Sequence, residues 1–117
     1  MPFDGTNALQ SEDLVKLRVA LEGVRGRGWS NHAIGARRPE APHCALGWLL
    51  VATDWDRDET TRLALDYVYP ALPESARREG NRMRAISDYN DRGSRERVVG
   101  LFTKAVELAE EKVLAVR

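Results

Sequence analysis

The sequence predicts an all-α fold, a single compact domain of about five helices with one long loop over roughly residues 28–42. Apolar residues recur every three or four positions in several segments, which is the period of an amphipathic helix. No segment alternates apolar and polar residues as a half-buried strand does. The 117 residues suit one domain whose core needs no disulfide or metal. We expect a flexible lead-in at 1–10 and a single all-α domain at 11–117.

The first helix is predicted to begin at Ser11, a favourable N-cap residue followed by Glu12 and Asp13, whose charges suit a helix N-terminus. Gly26 and Gly28 are expected to end it. Its core-facing stripe consists of Leu14, Leu17, Leu21 and Val24, and we expect Val15 and Val19 to widen that stripe.

A second helix is predicted to begin with Pro42 as its first residue, and its segment from His43 to Thr53 is apolar on nearly all sides. A buried strand is the competing interpretation, because short apolar runs are ambiguous. Asp56 is predicted to cap a third helix that ends near Pro70. Its inward-facing residues are expected to be Leu63, Tyr67 and either Ala71 or Leu72.

The fourth helix is predicted from Ala76, Met83 and Ile86, which stand at helical spacing, and Asn90 through Gly93 form a turn cluster after it. Ser94 is predicted to cap the last helix. The predicted core-facing stripe of that helix consists of Val98, Leu101, Ala105 and Leu108. It is widened by Phe102, Ala109, Val113 and Val116.

Composition narrows the function classes. The formal net charge is zero, which argues against broad nucleic-acid binding because a basic face supplies most of that affinity. The single cysteine excludes an internal disulfide and a cysteine-cluster zinc site and suits a reducing compartment. The N-terminal residues do not form a signal peptide, and the longest apolar run is too short to span a bilayer. We expect a cytoplasmic protein without membrane contact.

No cofactor and no metal site is expected. The glycines do not form a phosphate-binding loop or a dinucleotide fingerprint. The acidic stretch at 54–59 lacks the glycine and the distal glutamate of a calcium loop, and it is better explained as a helix start. A zinc set from Cys44, His43, His32 and an acid matches no known ligand spacing.

Cys44 is the candidate nucleophile. At the start of the apolar helix, free backbone N–H groups and the helix dipole favour a thiolate. His43 points away from it on a helix, so His32 is the candidate base, oriented by Asn31, Asn90 or Asp91. The opposing interpretation is a small core residue that lets another helix approach, and we favour it because free cysteines are usually buried.

The candidate binding residues are polar or aromatic. Trp29 could be a recognition residue or a lid on the core. Asn90 could present its amide to a pocket or could simply end a helix in the left-handed conformation, with Asp91 making a side-chain turn. Asn31 lies beside Trp29 in the predicted loop. Arginine pairs such as Arg37-Arg38 and Arg77-Arg78 could bind anions or carboxylates.

Three short motifs resemble a known family. They are "GW" ending at Trp29, "CALGWL" from Cys44 to Leu49, and "YND" from Tyr89 to Asp91 before the helix that starts "RERVVGLFTKA". In order and spacing they are similar to a family of small bacterial and phage proteins of unknown function, over roughly 29–109. The resemblance implies that Trp29, Cys44, Gly47, Asn90 and Asp91 form one constellation, and that the chain has an accessory role in a phage or mobile element.

The leading functional prediction is a binding protein whose partner is another protein or a second copy of itself, and an enzyme is the less favoured interpretation. The first alternative is a cysteine-dependent hydrolase or transferase that uses Cys44, His32 and Asp91. A weaker alternative is a nucleic-acid-binding module that uses the Arg77–Arg84 face, which would lose affinity steeply with salt.

Overall fold

The computed structural model describes residues 5–27, Trp29 and 44–115, without the side chains of residues 5–10 and Arg27. All elements in these ranges are helical, so the predicted all-α fold is confirmed. The predicted loop at 28–42 lies outside the described residues except for Trp29. The same is true of His32, His43, Asn31, Arg37, Arg38, Pro42 and Val116.

Helix α1 spans Gly5–Glu22 and continues into a π-helical turn at Gly23–Arg27. The prediction that it begins at Ser11 is therefore wrong, because Ser11 and residues 5–10 of the expected lead-in belong to the helix. A good cap residue does not stop a helix by itself, since extending an existing helix adds a hydrogen bond for each residue fixed. The sequence before Ser11 contains no proline after Pro2 that would prevent this extension.

Helix α2 spans Ala45–Ala52. The helical interpretation is confirmed against the strand, but the start is not at Pro42, because Cys44 occupies the N-cap position with an extended backbone. The helix ends at Thr53, and the next two residues, Asp54 and Trp55, have positive φ angles of 54° and 65°. This left-handed conformation is costly for a bulky residue such as tryptophan. It turns the chain sharply enough for α3 to begin at once.

Helix α3 spans Arg57–Leu63 and runs on through a π-helical turn at Ala64–Val68 and a helical segment at Tyr69–Ala71. Asp56 is its N-cap as predicted, because its carboxylate accepts a 3.0 Å hydrogen bond from the backbone N–H of Glu59. The chain leaves the helical conformation at Leu72, directly after Pro70 and Ala71.

A short 3₁₀ turn at Glu74–Ala76 precedes α4, which spans Arg82–Asp91. Ala76 is therefore not part of the fourth helix as predicted. The reason is local, because Asn81 caps the helix by accepting a hydrogen bond from the backbone N–H of Arg84 at 3.2 Å. Asn90 lies inside α4, and among the described non-glycine residues only Asp54 and Trp55 have positive φ. The predicted left-handed end at Asn90 is therefore wrong.

Helix α5 spans Arg95–Ala115 and begins as predicted, because the hydroxyl of Ser94 accepts a 3.3 Å hydrogen bond from the backbone N–H of Arg97. It packs mainly against α1, which also contacts α2. The core lies between these helices and the buried face of α3. Its largest fully buried side chains include Trp48, Phe102, Leu17, Leu49, Leu63, Leu72 and Ile86.

Val15 and Val19 do not widen the core stripe of α1 as predicted; they are 58% and 45% exposed. At about 100° per residue, both lie roughly 140–180° around the helix from the centre of the leucine stripe. The spacing of four residues, which suggested a wider stripe, instead places the two valines together on the opposite face.

No helix in the described part of the chain is long and apolar enough to cross a membrane.

Candidate functional site

Asn90 connects three separate parts of the chain. Its side chain is 1% exposed, and its Oδ1 accepts hydrogen bonds from the indole N–H of Trp29 at 2.8 Å and from the backbone N–H of Ala45 at 3.0 Å. Its Nδ2 donates to a carboxylate oxygen of Asp91 at 3.3 Å. We call Trp29, Cys44, Ala45, Asn90 and Asp91 the Asn90 junction.

The bond to Ala45 explains how α2 can begin without a conventional cap. The first N–H groups of a helix have no partner within the helix, and the N-cap side chain usually accepts one of them. Cys44 at the N-cap accepts no such hydrogen bond through its side chain. The amide of Asn90 takes over this task from another helix, and it thereby attaches α4 to the start of α2.

The Cys44 side chain is buried, with 7% of its surface exposed. Burial raises the pKa of the Cys44 thiol, and the negative charge of Asp91 acts in the same direction. Backbone N–H groups of Gly47 and Leu46 lower this pKa, as expected at a helix start, but burial is the largest influence. An activated thiolate needs the opposite balance.

The structure thus brings together Trp29, Cys44, Asn90 and Asp91, four of the residues singled out from the sequence, and Gly47 is buried one turn into α2. Trp29 is partly buried and packs against the core, whereas Asp91 is exposed. In this junction the side-chain amide of Asn90 accepts hydrogen bonds from the indole N–H of Trp29 and the backbone N–H of Ala45. The arrangement that catalysis needs, a thiol and its base, includes His32, which lies outside the described residues.

A second polar cluster escaped the sequence analysis. Asp13 is 3% exposed, and its carboxylate accepts hydrogen bonds from Arg62 at 2.5 and 3.1 Å and from the Tyr67 hydroxyl at 2.8 Å. Arg62 also binds Glu59 at 2.6 Å, and Glu59 accepts a bond from Lys16 at 3.2 Å. The cluster fastens α1 to α3.

The ionisation of this cluster follows from its contacts. Hydrogen bonds to the two carboxylates raise the pKa of Arg62 and keep it charged, and the bond from Arg62 lowers the pKa of Glu59. Burial and the neighbouring Asp13 raise the pKa of Tyr67, so its hydroxyl remains a donor. The available sequence signal was the position of Asp13 on α1, roughly 60° from the centre of the leucine stripe and thus on the core side.

An apolar groove lies between α1 and α2, with a volume of about 420 Å³. We call it the α1–α2 groove. Val15 and Val19 line it on one side, Trp48 and Val51 on the other, and Gly23 lets the two helices approach. A Cβ atom on Gly23 would lie 2.2 Å from the Trp48 ring. The polar groups lining it are those of Arg18 and Glu22.

Three arginines of the Arg77–Arg84 face contact other groups of the protein. Arg77 donates to the backbone carbonyl of Leu72 at 3.0 Å. Arg78 and Arg84 form ion pairs with Asp88, at 3.0 and 3.7 Å. These arginines therefore do not form an uncompensated basic stripe of the kind that phosphate backbones bind.

Within the described ranges, no group of three or more histidine, cysteine or acidic side chains is placed to hold a metal ion. Comparison with protein-family models, curated proteins and solved structures found no match for this chain. The resemblance to the family of small bacterial and phage proteins stays a prediction.

Proposed function

We propose that this protein functions by protein–protein association, with the α1–α2 groove as the association surface and a second copy of the chain as its occupant. The observation that carries the proposal is the exposed pair Val15 and Val19 beside an apolar groove. Apart from these two valines, Leu114 is the large hydrophobic residue that stands out as exposed in the described chain, and it does not line the groove.

The apolar character of the groove supports association. Covering the exposed fractions of Val15 and Val19 (58% and 45%) removes apolar surface from water, which contributes about 1 kcal/mol for each side chain. In a twofold dimer each surface is used twice, so the four valines contribute about 4 kcal/mol. Val51 in the wall of the groove is partly buried and adds further apolar contact, whereas the Trp48 ring behind it is 1% exposed and belongs to the core.

Charge favours a second copy as the occupant. Arg18 and Glu22 stand one helical turn apart at the groove with opposite charges. Each already has a partner in its own chain, Glu110 at 2.9 Å and Arg25 at 3.4 Å, but these surface pairs leave about half or more of each side chain exposed. Two antiparallel α1 helices would present them in reverse order, so that Arg18 of each copy faces Glu22 of the other. A twofold interface must be complementary to itself in this way. The formal net charge of zero leaves no overall repulsion between two copies.

The other functions predicted from the sequence have less support. The raised pKa of the Cys44 thiol disfavours a cysteine hydrolase or transferase. The ion pairs of Arg78 and Arg84 with Asp88 disfavour nucleic-acid binding through the Arg77–Arg84 face. A cytoplasmic location belongs to the same proposal, because a single thiol suits a reducing compartment.

The test is the oligomeric state over concentration, measured by sedimentation velocity from about 1 µM to 1 mM. We expect a reversible dimer that Val19→Glu abolishes. Leu114→Glu is the matched control, because Leu114 is 62% exposed at the far end of α5, and it should leave the dimer intact. A monomer at all concentrations, or equal effects of the two changes, would contradict a second copy as the occupant.

Charge reversal provides an independent test. Arg18→Glu and Glu22→Arg should each weaken the dimer, and the double variant should recover it, because only the double variant restores opposite charges across a twofold axis. Failure of the double variant to exceed both single variants would refute the antiparallel arrangement.

A further inference from the structure

A small polar pocket lies between the 3₁₀ turn, α4 and the first turn of α5. Its volume is about 170 Å³. Its polar lining comes from Ser75, Arg78, Asp88, Tyr89, Arg92 and Arg97. We call it the arginine pocket. It shares no residue with the α1–α2 groove or with the Asn90 junction, so it would be a separate site.

The pocket carries excess positive charge. Three guanidinium groups face one carboxylate, and that carboxylate is already neutralised: Asp88 is bound by Arg78 at 3.0 Å and contacted by Arg84 from outside the pocket at 3.7 Å. Neither Arg92 nor Arg97 forms an ion pair with any carboxylate of the described residues. Two guanidinium charges therefore border the pocket without a compensating anion in that part of the chain.

Arg97 is held in position before any ligand arrives. Its guanidinium carbon lies 3.8 Å from the centre of the Tyr89 ring, in a cation–π contact. The aliphatic part of the side chain packs on Gly93, where a Cβ atom would lie 2.8 Å from the Cδ of Arg97 and 2.9 Å from the carbonyl oxygen of Tyr89. The Arg97 side chain thus occupies the space that a side chain at position 93 would fill. An arginine that is already held in one conformation loses less rotational freedom on binding.

We propose that the arginine pocket binds the phosphoryl group of a phosphate monoester. Arg78 follows the 3₁₀ turn, Arg92 caps the C-terminus of α4, and Arg97 lies in the first turn of α5. A dianion with several oxygens matches guanidinium groups from three such segments, and arginine donates to phosphate in bidentate fashion. The pocket volume of about 170 Å³ accommodates one tetrahedral phosphoryl group. The exposed Ser75 hydroxyl offers a further donor.

The same chemistry can come from a free small-molecule phosphate or from a phosphorylated side chain of a protein. Isothermal titration with inorganic phosphate, phenyl phosphate and a short phosphoserine peptide separates the two sources. Similar affinities for phenyl phosphate and the peptide would support a small-molecule ligand. An affinity at least tenfold higher for the peptide would support a phosphorylated protein.

Three variants test the pocket itself. Arg92→Gln and Arg97→Gln should each weaken binding of phenyl phosphate about tenfold or more. Gly93→Ala, which keeps every charge but displaces Arg97, should weaken it severalfold. The matched control is Arg57→Gln on α3, an exposed arginine outside the pocket, which changes the net charge equally and should have little effect. The glutamine changes concern exposed side chains, so these variants should stay folded.

Absence of saturable binding up to about 20 mM of each phosphate would overturn the proposal. So would an equal loss in Arg57→Gln and Arg97→Gln, since that would be a response to overall charge and not to the pocket.

Discussion

Replacing Asn90 by alanine is the sharpest test of whether the Asn90 junction holds the fold together. The change removes the acceptor of two hydrogen bonds, from the Trp29 indole at 2.8 Å and from the Ala45 backbone N–H at 3.0 Å. A buried donor left without a partner costs about 1–3 kcal/mol. Leaving the N–H of the fully buried Ala45 without a partner should cost about 2 kcal/mol, and leaving the indole N–H of the partly buried Trp29 without one should cost about 1 kcal/mol. We expect Asn90→Ala to lower the free energy of unfolding by about 3 kcal/mol.

A second asparagine on the same helix supplies the control. Asn81 caps α4 by accepting a hydrogen bond from the backbone N–H of Arg84 at 3.2 Å, but it is exposed. Loss of such a cap costs about 1 kcal/mol. In urea unfolding followed by circular dichroism, the free energy of unfolding of Asn90→Ala should therefore be about 2 kcal/mol lower than that of Asn81→Ala. In a chain of this size the two variants should differ in Tm by about 6–8 °C.

A double-mutant cycle isolates the bond between helices. Trp29→Phe removes the indole donor, so Asn90→Ala should cost about 1 kcal/mol less in that background. If Asn90→Ala and Asn81→Ala destabilise equally and the cycle shows no coupling, the buried hydrogen bonds of Asn90 stabilise the fold no more than an exposed helix cap does. Its buried amide would then need a functional explanation.

Four further predictions concern Gly23, Cys44 and Arg62. Gly23→Ala should lower the free energy of unfolding by about 2 kcal/mol or more, because its Cβ would meet the buried Trp48 indole at 2.2 Å. Gly100→Ala has open space around it and should raise stability by up to about 1 kcal/mol. Thermal unfolding distinguishes the two variants. Cys44 should react with iodoacetamide far more slowly in the native protein than in urea, and fast native labelling would contradict a buried thiol. Because burial raises the pKa of Cys44 in the folded state, the unfolded chain loses its thiol proton first, so stability should fall as pH rises above about 8.5, and Cys44→Ala should remove that part of the fall. Arg62→Ala should lower the free energy of unfolding by about 2–3 kcal/mol, because it leaves the buried carboxylate of Asp13 without its charged partner. Arg18→Ala breaks only an exposed ion pair and should cost less than about 1 kcal/mol. Similar losses in denaturant titrations would show that the Asp13 carboxylate is not effectively buried.

The Asn90 junction and the Asp13 cluster serve the same structural purpose in different ways. Asn90 joins α4 to the start of α2 through neutral hydrogen bonds, and Asp13 joins α1 to α3 through charged ones. Both fix the relative position of helices whose apolar surfaces alone would allow sliding. Because these polar residues are committed to the fold, the groove and the arginine pocket become the more promising places for function.

The sequence by itself determined the all-α class and the caps at Asp56 and Ser94, because helical periodicity and N-cap chemistry act over a few neighbouring residues. The catalytic hypothesis placed Cys44 near Asn90 or Asp91, and Trp29 was added to this group only through a resemblance, since nothing local links residues so far apart in the chain. Local reasoning was wrong where another helix intervened. Asn90 carries the residue type of a helix end, yet it is the penultimate residue of α4 in helical conformation, and its amide accepts a hydrogen bond from Ala45 on α2.

Only the tertiary structure decided which faces of the helices became surface. Val15 and Val19 have the composition of core residues, but α1 has one side packed against the core, and the two valines stand on the opposite side. Gly23 and Gly93 look alike as local breaks in a helical pattern, yet one admits the Trp48 ring and the other the Arg97 side chain. The physical reason is that exposure, close approach and pairing depend on what the rest of the chain brings to each position, and that information is not contained in local spacing.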